Sequence, residues 1–149
     1  MATLYYRGMA EKNDKPKLGR SARCLGIRPG VDIDVALMPQ SWLDNNGHLR
    51  PESERDDNSG SQREVVIRNA KGMSTSLSIE GLPPFRKPAA FGGTGKDPLW
   101  QIEVSYITGD LEAVQDSATH VSIMPRITML LERYEAALSK TQDFWEKVN

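Results

Sequence analysis

The chain has little sulfur chemistry and no long apolar run. Its 149 residues include one cysteine, Cys24, and two histidines, His48 and His120. One cysteine excludes an intramolecular disulfide and suits a reducing compartment, and one cysteine with two distant histidines argues against a zinc site. No apolar stretch approaches the roughly 20 residues that a membrane-spanning helix needs. Segment 1–15 has neither a basic start nor an apolar core, so no standard secretory signal is expected.

The net charge is small, but the charges are unevenly distributed. Hydrophobic residues make up 38% and charged residues 26% of the chain, and the formal net charge is −1. Length and composition predict one folded domain over residues 1–149. Segment 7–28 holds seven basic and two acidic residues, net +5, whereas segment 29–64 holds three basic and eight acidic residues, net −5.

This charge pattern leaves two interpretations open. The two segments can form solvated faces of opposite sign, or the basic segment can line a pocket for a phosphate-bearing ligand. Broad binding of DNA or RNA is not expected, because the basic excess is cancelled so near in the sequence.

Alternating apolar and polar residues predict most of the secondary structure. The predicted strands are 3–7, 31–37, 63–68, 73–80, 99–107 and 119–124. Apolar residues at three- and four-residue spacing predict a long C-terminal helix over 126–148, and helical turns are expected at 21–25 and 111–117. These elements predict an α+β fold of short mixed or antiparallel strands in small twisted sheets, ending in that long helix.

Two long segments have the composition of loops. Segment 44–62 is almost wholly polar and predicts a mobile surface loop or a turn-rich insertion. Segment 81–98 holds four glycines and four prolines and predicts a poorly ordered or lid-like loop. Its Gly-Gly-Thr-Gly-Lys string is not a phosphate-binding loop, since Ala90 and Asp97 stand where that motif requires glycine and serine or threonine.

Several polar residues on the predicted strands are candidates for a ligand site. Arg7 ends the first strand, Thr75 and Ser76 lie on a middle strand, and His120 begins the last strand beside the apolar Val121. Each also has a simpler interpretation as a solvent-facing residue on a half-buried strand. The residues alone leave both interpretations open.

Three stretches in this order resemble a known family. TLYYR at 3–7, the pair Thr75-Ser76, and Thr119-His-Val-Ser-Ile-Met-Pro125 are similar to motifs of small type VI secretion effector toxins with an ADP-ribosyltransferase-like fold. Ordinary ADP-ribosyltransferases usually carry a glutamate where this chain has His-Val-Ser-Ile-Met-Pro. The resemblance spans the start, the middle and the last third of the chain.

The resemblance implies roles for individual residues. It implies catalytic roles for Thr75, Ser76 and His120, and contacts to NAD from Arg7, Tyr6, Arg63 and Ser74. An arginine fork matches phosphate oxygens, a tyrosine can stack on nicotinamide, and a histidine can transfer protons near neutral pH. No metal is implied.

The same resemblance implies an NAD-dependent ADP-ribosyltransferase-like toxin. Such a toxin acts in the cytoplasm of a target cell after delivery by a specialised secretion system. Its partners are NAD, a macromolecular acceptor of unknown identity and an immunity protein, with no membrane or DNA partner. The alternative is a toxin or interaction module that binds a nucleotide or a protein target without transferring ADP-ribose.

Overall fold

The computed structural model describes residues 3–56 and 60–149. The strands along these ranges are β1 Leu4–Gly8, β2 Glu11–Lys12, β3 Lys15–Pro16, β4 Val35–Pro39, β5 Gln62–Val66, β6 Met73–Ser76, β7 Leu99–Glu103, β8 Leu111–Gln115, β9 His120–Pro125, β10 Met129–Leu130 and β11 Glu146–Lys147. Helix α1, Leu131–Lys140, follows β10. Single 3-10 turns occur at Gln40–Trp42, Glu52–Glu54, Pro84–Arg86, Ala89–Phe91, Val104–Tyr106 and Gln142–Phe144.

The strands form two sheets and a small hairpin. The larger sheet has six strands in the order β11-β7-β1-β6-β9-β8, the smaller has the order β10-β5-β4, and β2 pairs with β3. All registered strand pairs of the described residues are antiparallel. The predicted α+β class with small sheets is therefore confirmed, and the sheets are antiparallel. None of the helices in the described ranges has the length and apolar character to cross a membrane.

The middle of the six-stranded sheet contains a seam. Strand β1 is in register with β7 along five residues, and β6 is in register with β9 along four. Between β1 and β6 the register is a single pair, Tyr6 with Ser76. The two halves of the sheet are therefore joined in register at one residue pair, Tyr6 with Ser76.

The core covers both faces of β9. Val121 and Ile123 lie on one face and Ser122 and Met124 on the other, and each is at most 3% exposed. Tyr134 of α1 anchors the helix there, because its hydroxyl donates a 2.6 Å hydrogen bond to the Ile123 carbonyl and accepts one from the Met73 N–H at 3.2 Å. The start of β9, at His120, is the part that reaches the surface.

The predicted C-terminal helix is present but shorter than the predicted 126–148, since α1 spans Leu131–Lys140. Residues 129–130 instead extend the smaller sheet, where Leu130 pairs with Val65 and its N–H donates to the Gly47 carbonyl. At the other end, the Thr141 hydroxyl caps the helix by donating to the Leu138 carbonyl at 2.7 Å. The apolar spacing continued beyond the helix because Trp145, past the helix end, also faces the core.

Other predicted elements are shorter or of another type. The helical turn predicted at 111–117 is wrong, since Leu111–Gln115 is a strand paired along β9. The helix predicted at 21–25 is a turn closed by the Cys24 N–H and the Ser21 carbonyl. The strands predicted at 31–37 and 99–107 are Val35–Pro39 and Leu99–Glu103, and the strand predicted at 73–80 ends at Ser76. Of the predicted loop 44–62, residues 57–59 lie outside the described residues.

Candidate functional site

A cleft of about 270 Å³ opens at the seam between β1 and β6. Five residues singled out from the sequence line it: Arg7, Ser74, Thr75, Ser76 and His120. They come from the first, middle and last long strands of the sheet, which the antiparallel pairing brings side by side. The structure thus gathers these residues, while their chemical roles stay predictions.

Arg7 bridges the two walls of the cleft. Its Nη1 donates to the Ser74 carbonyl at 2.8 Å, and its Nη2 donates to the Cys24 carbonyl at 2.8 Å and the Ala22 carbonyl at 3.3 Å. Burial lowers the pKa of Arg7 to about 10, although the nearby Asp32 carboxylate acts in the opposite direction. Arg7 therefore stays cationic at neutral pH, as a charge enclosed by carbonyl oxygens.

Thr75 and Ser76 use their hydroxyls within the protein. Thr75 Oγ1 donates to the Val121 carbonyl at 3.0 Å, and Ser76 Oγ donates to the Ser78 carbonyl at 2.6 Å. Ser76 is in register with His120, so the two side chains are neighbours on the same face of the sheet. Ser76 and His120 therefore lie side by side in the lining of the cleft.

His120 is held by a carboxylate that sequence reasoning missed. Its Nδ1 lies 2.5 Å from Asp116 Oδ1, and the Ser122 hydroxyl donates to the other carboxylate oxygen at 3.1 Å. Burial alone would raise the pKa of Asp116, but the bonds from His120 and Ser122 lower it below its usual value. With Nδ1 engaged, Nε2 is the ring nitrogen left to meet a ligand, as no described residue bonds it.

A signal for Asp116 did exist in the sequence. Asp116 precedes His120 by four residues, and a tight hairpin places such residues face to face: the Asp116 N–H donates to the His120 carbonyl at 3.1 Å. The predicted helical turn at 111–117 concealed this, because a helix there would have separated the two strands.

Arg63 and the two tyrosines of β1 do not line the cleft. Arg63 lies on β5 in the smaller sheet, where its Nη2 donates to Glu132 at 2.5 Å and its Nη1 to Gln40 at 2.6 Å. Tyr5 is buried in the core, and Tyr6 is absent from the described lining of the cleft. The contacts to NAD that the resemblance implied for Arg63 and Tyr6 therefore have no support from their positions.

Segment 81–86 supplies the other wall of the cleft. Phe85, which is 61% exposed, and Arg86 line it, and the Arg86 guanidinium carbon lies 5.0 Å from the centre of the Phe85 ring. Within the loop predicted at 81–98, residues 81–86 therefore lie beside the cleft. Residues further along the loop fold back toward this part, because the Thr94 N–H donates to the Pro84 carbonyl and the Gly95 N–H to the Lys87 carbonyl, at 2.8 and 2.9 Å.

The charge of the cleft is positive. Among the described residues that line it, three arginines face one aspartate, Asp32. Asp32 is itself paired with Arg28 through two hydrogen bonds of 2.8 and 3.1 Å. A cleft of this charge, with an exposed phenyl ring at its edge, suits a ligand that combines phosphate with a flat ring.

Comparison with known proteins yields one finding. The family model described as "Tse2 ADP-ribosyltransferase toxin" matches residues 3–147, a range that contains every described residue of the cleft. Neither the curated proteins nor the solved structures gave a match to the chain.

Proposed function

The chain belongs to the Tse2 ADP-ribosyltransferase toxin family, and from this premise we propose that it binds NAD in the cleft and transfers ADP-ribose to an acceptor in the cytoplasm of a target cell. The observation that carries the proposal is the register of β6 with β9, which sets Ser76 beside His120 in a positively charged cleft. The antiparallel sheet, whose two halves are joined by a single register pair beside this cleft, supports an ADP-ribosyltransferase-like fold.

The size of the cleft limits how much of NAD it can enclose. Pockets that bury a drug-sized ligand have volumes of roughly 300–1,000 Å³, and the cleft has about 270 Å³. We expect it to hold the nicotinamide and its ribose, with the adenosine half lying at the mouth. Phe85, exposed at the edge, offers a ring on which one of the two bases can stack.

In the transfer reaction, His120 would accept the proton that the acceptor loses. The bond between the ribose C1′ and the nicotinamide nitrogen breaks, and its electron pair leaves with neutral nicotinamide. A nucleophilic atom of the acceptor then bonds to C1′ and loses a proton, which His120 Nε2 can take while Asp116 holds Nδ1. Ser76 would position a ribose hydroxyl against this ring.

Binding without transfer is the second candidate. Positive charge develops on the ribose when nicotinamide leaves, and an unpaired carboxylate would stabilise it. Asp32 is the one acidic residue in the described lining, and Arg28 already pairs with it. This pairing favours a toxin that captures a nucleotide or a protein target without transferring ADP-ribose. In either version of the proposal, an immunity protein would protect the producing cell.

Calorimetry and product analysis distinguish the candidates. NAD is titrated into the purified protein, and the same protein is then incubated with NAD and a cell extract while free nicotinamide and ADP-ribosylated material are measured. Binding with nicotinamide release supports transfer, whereas binding without release supports the second candidate. No heat and no release would contradict both nucleotide-binding versions.

A further inference from the structure

The hydrogen bonds of Arg7 leave it no pair of parallel N–H donors for a bidentate contact to phosphate. A guanidinium has five N–H donors, and a bidentate contact needs two that point the same way. Nε donates to the Cys24 carbonyl at 3.3 Å, Nη2 donates to Cys24 and Ala22, and Nη1 donates to Ser74. At most one N–H, on Nη1, remains, so neither edge of the fork is open.

Releasing Arg7 for a ligand would also be costly. Arg7 is only 7% exposed. If its side chain moved to meet a ligand, the carbonyls of Ala22, Cys24 and Ser74 would lose this donor inside the protein. Buried polar groups without partners are strongly disfavoured. The bonds of Arg7 instead hold segment 22–24 against the end of β6, which fixes the distance between two walls of the cleft.

Arg28 is committed through its charge. Its Nε and Nη2 form a fork on the Asp32 carboxylate at 3.1 and 2.8 Å, and its backbone N–H donates to the same carboxylate at 2.8 Å. The two Nη1 N–H groups and one Nη2 N–H remain open, but the adjacent carboxylate balances the charge of Arg28 and repels a phosphate. Of the three arginines in the described lining, Arg86 is the one with neither its donors nor its charge engaged in this way.

The guanidinium of Arg86 has its N–H donors available for a ligand, and its backbone is held in place. Within residues 3–56 and 60–149 its side chain makes no hydrogen bond or ion pair. It lies over the face of Phe85, and, after the hydrogen bond from Arg23, its charge contributes to lowering the pKa of Asp97. Its backbone carbonyl packs so closely on Gly8 that a Cβ at position 8 would lie 2.2 Å from it. The segment is fastened again at Asp97, which accepts a fork from Arg23 at 2.7 and 2.8 Å.

We propose that Arg86 binds the pyrophosphate of the dinucleotide and that Arg7 is a positioning residue that sets the width of the cleft. The proposal rests on the proposed function, since it names the residue that holds the charged part of the same ligand. It reverses the role that the resemblance implies for Arg7, which is a direct contact to NAD.

The test compares Arg86→Gln with Lys87→Gln. The second variant removes the same charge from the neighbouring position, which does not line the cleft. Calorimetry is run with NAD, with ADP-ribose, which keeps the pyrophosphate, and with nicotinamide riboside, which lacks it. We expect Arg86→Gln to lower the affinity for NAD and for ADP-ribose about ten- to a hundredfold, the range for hydrogen bonds to a charged group. The affinity for nicotinamide riboside should not change.

Lys87→Gln should stay within about twofold of the original protein, and Arg86→Lys should restore part of the affinity because it restores the charge. Arg7→Lys should melt at lower temperature, and because the width of the cleft changes, the protein that stays folded should bind NAD, ADP-ribose and nicotinamide riboside more weakly by a similar factor. Equal NAD affinity of Arg86→Gln and the original protein would overturn the proposal. So would an Arg7→Lys variant that loses tenfold or more in affinity for NAD and ADP-ribose while its affinity for nicotinamide riboside is unchanged.

Failure of the proposed function gives a different result. If the original protein binds no NAD but binds ADP-ribose, and Arg86→Gln abolishes that binding, the anion site stands and NAD is the wrong ligand. If the original protein binds neither compound, both proposals fail. If it binds both and Arg86→Gln changes nothing, the proposed function stands and the assignment of Arg86 fails.

Discussion

The two histidines of the chain lie in two regions and each is paired with an aspartate. His48 Nε2 donates to Asp110 Oδ1 at 2.8 Å, and both side chains are about one-fifth exposed. His120 Nδ1 donates to Asp116 Oδ1 at 2.5 Å, and both are nearly two-fifths exposed. The same two residue types thus form one pair at the cleft and one pair away from it.

The third partner separates the two pairs. Asp110 also accepts a 2.7 Å bond from Arg133 of α1, so the His48 pair ties the 44–49 loop to the helix. Asp116 instead accepts a hydrogen bond from the neutral hydroxyl of Ser122 in the same hairpin. The ring of His120 lines the cleft. A histidine–aspartate pair by itself therefore does not indicate a site; the surface that the open ring nitrogen meets does.

The largest effect that this comparison predicts is on activity. His120→Ala should reduce growth arrest and nicotinamide release by about a hundredfold or more, the usual loss when a general acid or base is removed. His48→Ala should leave both within a few fold, because His48 does not line the cleft. The two variants are compared in one expression assay, with protein levels measured.

Thermal melting is the control for this pair. His120→Ala should melt near the original protein, because a side chain this exposed costs roughly 1 kcal/mol or less when it is removed. If its activity falls only in proportion to the loss of folded protein, His120 is structural. If His120→Ala is fully active, His120 has no part in the site.

The sequence predicted the strands that carry the site better than the elements between them. Alternation of apolar and polar residues in the sequence located β1, β5 and β9 within one or two residues, although both faces of β9 are buried. Periodicity failed at the C-terminus because Met129 and Trp145 are buried outside α1, so an apolar spacing typical of a helix continued through residues that are not helical.

The site was predictable only where a motif lay on a strand. His120 and Ser76 became neighbours through strand pairing, which alternation allows one to expect. Arg86 and Phe85 lie in a segment rich in glycine and proline, whose turns no periodicity describes. Arg63 was misplaced because sequence order does not reveal that β5 belongs to the other sheet.

The next effect concerns the carboxylates. Asp116→Ala should reduce activity about tenfold, because His120 would lose the partner that fixes its Nδ1 proton and ring orientation. Asp110→Ala should leave activity within about twofold once folded protein is counted. A folded Asp116→Ala variant with full activity would show that the His120 ring needs no carboxylate.

Stability should show the opposite order. Asp110→Asn should lower the free energy of unfolding by about 1 kcal/mol, because the carboxylate accepts bonds from both His48 and Arg133 across two elements. Asp116→Asn should cost less, since its bonds lie within one exposed hairpin. Urea unfolding at pH 7 measures both, and a larger loss for Asp116→Asn would reverse the assignment of the two pairs.

The smallest effect is the pH dependence of that difference. Burial alone would raise the pKa of Asp110, but the bonds from His48 and Arg133 lower it overall. A carboxyl group with a lowered pKa stabilises the folded state above its unfolded value of about 3.9. This contribution is lost as the pH falls through the folded value, because the protonated group then no longer attracts Arg133.

The melting difference between the original protein and Asp110→Asn should therefore be constant from pH 7 to about pH 5 as far as Asp110 is concerned, and should shrink below about pH 4. Melting curves of both proteins from pH 7 to pH 3 test this, with Asp116→Asn as the matched comparison. A difference that persists undiminished at pH 3 would mean that Asp110 acts through the shape of its hydrogen bonds. The His48–Asp110 pair would then stabilise the fold through hydrogen-bond geometry and not through charge. The position of His120 in the cleft would be the one remaining difference between the two pairs.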